Sequence, residues 1–300
     1  MNTRTLRPVD RLVAGAHAVL AALWIAAWFR APWAPWLAVA HLCAAIGVPS
    51  LLRRLSRRPG RVVTALRELY PMIVVMATWS ELGLIRALRA GAFDGPIAAL
   101  DQWVFGTHLQ ALWMPAMPQV AFSELMFGFY VLYYPAVFLT PVVLLIAGAR
   151  REARHIISGL TPAFLFCFAS YIVFPVDGPS HTALRYAGPL TEGFLYQLVA
   201  SVVHAGDSLG TAFPSSHVAG TVTMAILASR WLGRPVAWLF AFEAVAVVAA
   251  TVYTQNHFAI DALAGVVAAF GVDVMVRARP ALSMAAAVPP LPQFAEVTNE

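Results

Sequence analysis

The chain has 300 residues, of which 60% are hydrophobic and only 12% charged, with a net charge of +5. Soluble domains carry charge on about a quarter of their residues, so this composition excludes one and predicts an all-α protein that crosses a membrane repeatedly. The chain has no lysine, and its arginines punctuate apolar runs without forming a stripe interleaved with aromatics, which argues against nucleic acid as a partner. In chain order, a basic leader precedes a first run from Leu12 to Phe29, retained as a span because no clean small-residue cleavage site follows it. A second span runs from Ala34 to Leu52, a dense arginine loop ends at Arg61, and a third runs from Val62 to Ile85. Residues 86–119 are broken by glycine and proline; Leu100, Trp103 and Val104 give them one apolar side, as in a helix lying in the interface.

The fourth span, from Val120 to Ala149, is too long for one straight crossing and is expected to bend at Pro135 or Pro141. The fifth, from Ile156 to Phe174, leads into a loop bearing His181 and Arg185, and Phe194, Leu198 and Val202 then repeat at helical spacing as a second interfacial helix. A short sixth span begins at Pro214-Ser215-Ser216-His217 and ends at Arg230; the seventh runs from Val236 to Gln255 and the eighth from Phe258 to Val276. The tail, residues 280–300, has no periodic pattern and is expected to be disordered. Cys43 and Cys167 fall in apolar runs without Cys-x-x-Cys spacing, so buried free thiols are expected.

With eight spans and the N-terminus inside, fifteen arginines fall on inner segments and four, at 30, 86, 89 and 185, on outer ones. The positive-inside bias therefore places both termini in the cytoplasm and puts His217 and His257 on the outer face.

Two stretches carry chemistry. His257 and Asp261 are four residues apart, so on a helix they share one face about 6 Å apart along the axis. A carboxylate there takes the proton of one ring nitrogen and leaves the other lone pair free to attack. In the other stretch, Ser215 or Ser216 is placed to cap a helix whose free N–H groups and positive end suit a phosphate, with His217 in its first turn. Metal chemistry is the competitor for a His/His/Asp set, but no further ligand has suitable spacing, so neither metal nor cofactor is expected.

Pro214-Ser215-Ser216-His217 resembles the P-S-[GS]-H element of the type 2 phosphatidic acid phosphatase superfamily, and His257-x3-Asp261 resembles the end of its S-R-x5-H-x3-D element. Thr251 to Gly265 is most similar to the branch that includes inositol phosphorylceramide synthases. The resemblance covers the second half of the chain well and the first half loosely. It implies that His257 becomes phosphorylated, Asp261 orients it and His217 protonates the leaving group. Two elements depart: the K-x6-R-P motif is absent with every lysine, and Ala250 and Thr251 stand where S-R would fall.

Arg185, the one arginine in the outer loop beside these motifs, is the substitute for the missing phosphate clamp or else a solvated loop residue. His181 and Asp177 are weaker candidates. Glu81, Glu124 and Glu243 sit in or beside apolar runs, where an ionised side chain costs about 2.5–3.5 kcal/mol. Glu81 and Glu124 are placed for a head group or acceptor hydroxyl, and Glu243 for a helix-packing hydrogen bond. Asp101, in a string similar to one in the synthase branch, is a further candidate for a head-group or acceptor contact and equally a helix or turn residue. The chain thus divides into residues 1–61 (two spans and a basic loop), 62–279 (a catalytic membrane domain) and 280–300 (the tail). The expected function is a lipid phosphatase or head-group phosphotransferase acting on a membrane lipid, with water or a lipid or polyol hydroxyl as acceptor; the alternative is a transporter or lipid-binding protein.

Overall fold

The computed structural model describes residues 6–55, 60–206 and 208–278, and within them the chain is helical throughout apart from loops and one isolated bridge between Val176 and Thr211. The helices are α1 (Pro8–Ala26), α2 (Ala34–Leu55), α3 (Arg61–Ala87), α4 (Asp94–Phe105), α5 (Leu109–Ala116), α6 (Val120–Tyr134), α7 (Thr140–Ile146), α8 (Arg150–Val173), α9 (Pro179–Thr182), α10 (Phe194–Gly206), α11 (Ser216–Trp231), α12 (Arg234–Tyr253) and α13 (Ala259–Ala278). The tail expected to be disordered lies outside the described residues.

Among the described residues, seven helical units are long and apolar enough to cross a membrane: α1, α2, α3, the α6–α7 unit, α8, α12 and α13. This is an all-α, multi-pass membrane protein. The bend expected in the fourth span is a π-helical turn over Pro135–Leu139, which begins where proline has no N–H to continue the ladder. Eight spans were expected. The expected sixth span, α11, is the one missing from these seven: it has 16 residues, about 24 Å of helix against a hydrocarbon core of about 30 Å.

That helix is shielded by protein, packing against α8, α12 and α13. Trp231 at its end stacks on His155 near the start of α8, and Pro214 before its start accepts a hydrogen bond from the Tyr171 hydroxyl near the end of α8 at 2.8 Å. α11 therefore runs antiparallel to α8, and its Ser216, Thr221 and Thr223 are buried among neighbours. Lipid is as apolar as leucine, so close van der Waals packing must hold these helices together. Gly265 supplies it: a Cβ there would meet the Ser215 carbonyl oxygen at 2.7 Å and Val218 Cβ at 2.9 Å.

The arginine-rich ends form buried ionic nodes. Glu68, 1% exposed, accepts from Arg7, from Arg150 at 3.0 Å and from Arg154 at 2.6 Å, tying α3 and α8 to the segment before α1. Asp273 on α13 binds Arg230 of α11 through two hydrogen bonds and Arg277 at 3.0 Å. These nodes lie at the opposite ends of α8, α11 and α13 from the Pro-Ser-Ser-His segment.

The α1–α2 hairpin is pinned to α3 through Glu81, which accepts from Trp24 Nε1 and contacts His41 Nε2 at 2.8 Å; His41 Nδ1 lies 2.7 Å from His17 Nδ1. Two expectations fail. Cys43 is exposed on α2, because that helix packs chiefly on α1 and leaves its other face uncovered, whereas Cys167 is buried. Glu243 makes no helix-packing bond: it is 3% exposed and neither carboxyl oxygen is partnered among the described residues.

Candidate active site

Ser215 is the N-cap of α11, its hydroxyl oxygen 3.4 Å from the Val218 amide nitrogen. Its own N–H donates to the carbonyl oxygen of Asp261 at 3.0 Å, joining the two motif segments directly. His217 follows in the first turn. His257 is not on a helix with Asp261 as its spacing predicted: it lies in the turn 254–257 and α13 begins at Ala259. Asp261 occupies the first turn and Oδ2 accepts the Phe258 N–H at 2.8 Å, capping its own helix. Nδ1 of His257 is 3.5 Å from the same oxygen, longer than a closed hydrogen bond, and neither that nitrogen nor Asp261 Oδ1 has another partner among the described residues. Such loose approaches are common in resting catalytic pairs and tighten with substrate.

The turn is held from several sides. Gln255, at φ 60°, accepts from Tyr186 N–H through Oε1 and donates to the Gln110 carbonyl through Nε2. His257 N–H donates to Thr251 O at 3.1 Å. As a result the two imidazoles converge, with centroids 5.9 Å apart and planes at 63°. Both line a cavity of about 250 Å3, together with Ser216 and Asn256. The rest of its wall is largely apolar and aromatic, including Val75, Trp79, Phe138, Phe164 and Phe168.

Three tyrosines of α6 surround His217. The Tyr130 ring stacks at 4.7 Å, Tyr133 lies at 4.4 Å and Tyr134 presents its edge at 5.8 Å, with its hydroxyl 3.4 Å from Nε2. Sequence reasoning missed them: aromatics spaced i, i+3, i+4 in an apolar run read as core. Asn256 was also missed, although it adjoins His257. Asp177, a weak candidate by sequence, lines the cavity.

The other candidates lie elsewhere. Arg185 is exposed, donates to the Thr254 carbonyl at 3.1 Å and does not line the cavity; the end of α12 competes for its guanidinium. His181 is exposed on α9, outside the wall. Asp101 is wholly buried: Oδ1 accepts the Ile260 N–H at 3.0 Å and Oδ2 lies 3.0 Å from His108 Nδ1, so it supplies the start of α13 with the acceptor that Phe258 lacks. Glu124 accepts the N–H groups of Leu195 and Tyr196 at the start of α10. Glu81 is spent on the α1–α2 hairpin. None of these three carboxylates faces the cavity, each being engaged by donors whose positions sequence spacing does not reveal. No group of three or more His, Cys, Asp or Glu side chains that would hold a metal occurs among the described residues.

The described residues thus form an all-α fold with membrane-crossing helices, in which two histidines meet beside a buried acid. The sequence profile of the PAP2 superfamily matches residues 95–274, more than half of the chain, and the protein belongs to that superfamily. Membership brings a lipid-phosphate function of the phosphatase or phosphotransferase type. No curated protein and no solved structure matches the chain.

Proposed function

We propose that the protein transfers a phosphoryl or phosphoryl-head-group unit from a membrane lipid through a phosphohistidine at His257. The convergence of His217 and His257 on one cavity, with Asp261 beneath His257, is the observation that carries this reading. Asp261 accepts the Nδ1 proton of His257, leaving Nε2 to attack phosphorus. The bond to the departing ester oxygen breaks, and His217 delivers a proton to that oxygen. His217 then takes a proton from the incoming hydroxyl, which attacks the phosphohistidine and frees His257. The first turn of α11 offers the backbone N–H groups of Ser216 and His217 to the phosphoryl oxygens; Ser215, named by sequence as a phosphate contact, is spent as the cap, its N–H on Asp261 and its hydroxyl on Val218.

The apolar wall suits acyl chains while the head group meets the histidines. Its residues Val75 and Trp79 belong to α3, which supports a catalytic domain that starts before the profile match, at about residue 62. The finer reading places the chain in the inositol phosphorylceramide synthase-like branch, on the likeness of Thr251–Gly265, with a lipid or polyol hydroxyl as acceptor; in the phosphatase reading, water takes that place. The arginine bias supports an outward-facing site with both described ends inside.

Purified protein in mixed micelles tests this with labelled phospholipid, with and without ceramide or diacylglycerol. The synthase reading predicts a new lipid that depends on the acceptor, and the phosphatase reading predicts a water-soluble phosphate, free from a monoester or still bearing the head group from a diester. Turnover above a few per cent in His217→Ala or His257→Ala contradicts both.

A further inference from the structure

Asp177 sits on the cavity wall with the two histidines, and among the described residues no arginine lines that wall. Arg86 of α3 grips its carboxylate through Nε at 2.9 Å and Nη2 at 2.7 Å. The backbone is fixed independently: Asp94 accepts the N–H groups of Asp177 at 3.1 Å and Gly178 at 2.7 Å. Val176 pairs with Thr211 in the segment that leads to Pro214, and Gly178, at φ +86°, lies so close that a Cβ there would meet Ala212 Cβ at 2.7 Å and the Asn256 carbonyl at 3.6 Å. The acid is therefore locked against both motif loops. Asp177 lines the cavity and Arg86, which holds its carboxylate, does not, so the pair turns its acidic member to the site.

A carboxylate built into a phosphate site is a cost that grows with the charge on the phosphate. A phosphomonoester approaches two negative charges near neutral pH, its second pKa being about 6, whereas a phosphodiester carries one. Resting on the phosphotransfer reading above, we propose that the Arg86–Asp177 pair makes the site selective for lipid phosphodiesters over lipid phosphomonoesters. Asn256, whose Oδ1 has no partner among the described residues, adds a second acceptor to the same wall and none of the positive charge a dianion requires. Asp177 is thus a specificity residue and Arg86 its positioning partner.

The test compares diacylglycerol release from phosphatidylglycerol and from phosphatidate in mixed micelles, a product common to hydrolysis and transfer. The wild-type protein should favour the diester in kcat/KM. Asp177→Asn should shrink that preference by roughly tenfold, the effect of about 1.4 kcal/mol. Asp177→Glu, which keeps the charge, should retain it. Because Asp177→Asn weakens the partner of the half-buried Arg86, Arg86→Gln/Asp177→Asn is measured alongside and should show the same shift. A wild-type protein that favours phosphatidate, or a preference unchanged in both Asn-containing variants, overturns the proposal while leaving the phosphohistidine reading intact. Release that survives His257→Ala on both lipids removes the reading beneath it.

Discussion

The Ser215 N–H donates to the Asp261 carbonyl oxygen at 3.0 Å, so the cap of α11 is hydrogen-bonded to the acid that lies beside His257. The link spans 46 residues of sequence and makes the relative placement of the two histidines a matter of backbone contact. What preserves the contact is the close approach of α11 to α13 at Gly265.

A methyl group at that position would sit 2.7 Å from Ser215 O, a backbone atom that cannot swing aside. Gly265→Ala should therefore push α11 away and lower kcat about 100-fold, the scale expected for a misplacement of about 1 Å. Gly271→Ala, with nothing within 4 Å on the same helix, should leave kcat near the wild-type value. Equal effects from the two substitutions would contradict this.

Asp101 acts on the same helix from a distance. Its Oδ1 holds the Ile260 N–H one residue before Asp261. Asp101→Ala should cost about 1 kcal/mol, as loss of a helix cap does, and should lower kcat more than it raises KM. A head-group contact, by contrast, would show mainly in KM. Thermal unfolding in detergent and steady-state kinetics on one preparation separate the two.

Much of this was legible in the sequence. Arginine-bounded apolar runs located the crossings, and the shortness of α11 followed from the distance between Pro214 and Arg230. The paired motifs were readable because each couples a local signal, a cap or an i, i+4 acid, to a histidine. Even so, His257 lies in a turn ahead of α13, since Phe258 and Asp261 start the helix at Ala259. Glu124 was placed for a head group, and Asp101 was left between that and a helix role, because their partners, Leu195 and Ile260, lie 71 and 159 residues away. Arg185 was chosen for its place in the outer loop, but the Thr254 carbonyl takes it. The tyrosines around His217 carry no sequence mark that separates a cage from a core.

That cage predicts a graded response. Tyr134→Phe removes the hydroxyl 3.4 Å from His217 Nε2 and keeps the ring, and should lower kcat by up to about tenfold, the value of one hydrogen bond. Tyr130→Ala removes the stacked ring and should be more damaging. If Tyr130→Ala matched wild type in kcat and KM, the tyrosines would be packing residues with no influence on His217.

Glu81 separates the N-terminal hairpin from the chemistry. Glu81→Ala leaves Trp24 and His41 without their acceptor in a buried setting and should destabilise the protein by roughly 1–3 kcal/mol. Turnover per folded molecule should stay close to wild type, because Glu81 does not line the cavity. A KM rise without loss of stability would return Glu81 to the head-group role.

The covalent step is open to direct observation. Rapid acid-free quenching with a lipid labelled at phosphorus should trap a base-stable, acid-labile label on His257. The label should be missing in His257→Ala and retained in Asp261→Asn at a lower rate of formation. Turnover with no trappable label on His257, or the same label in His257→Ala, would contradict a phosphohistidine at this position.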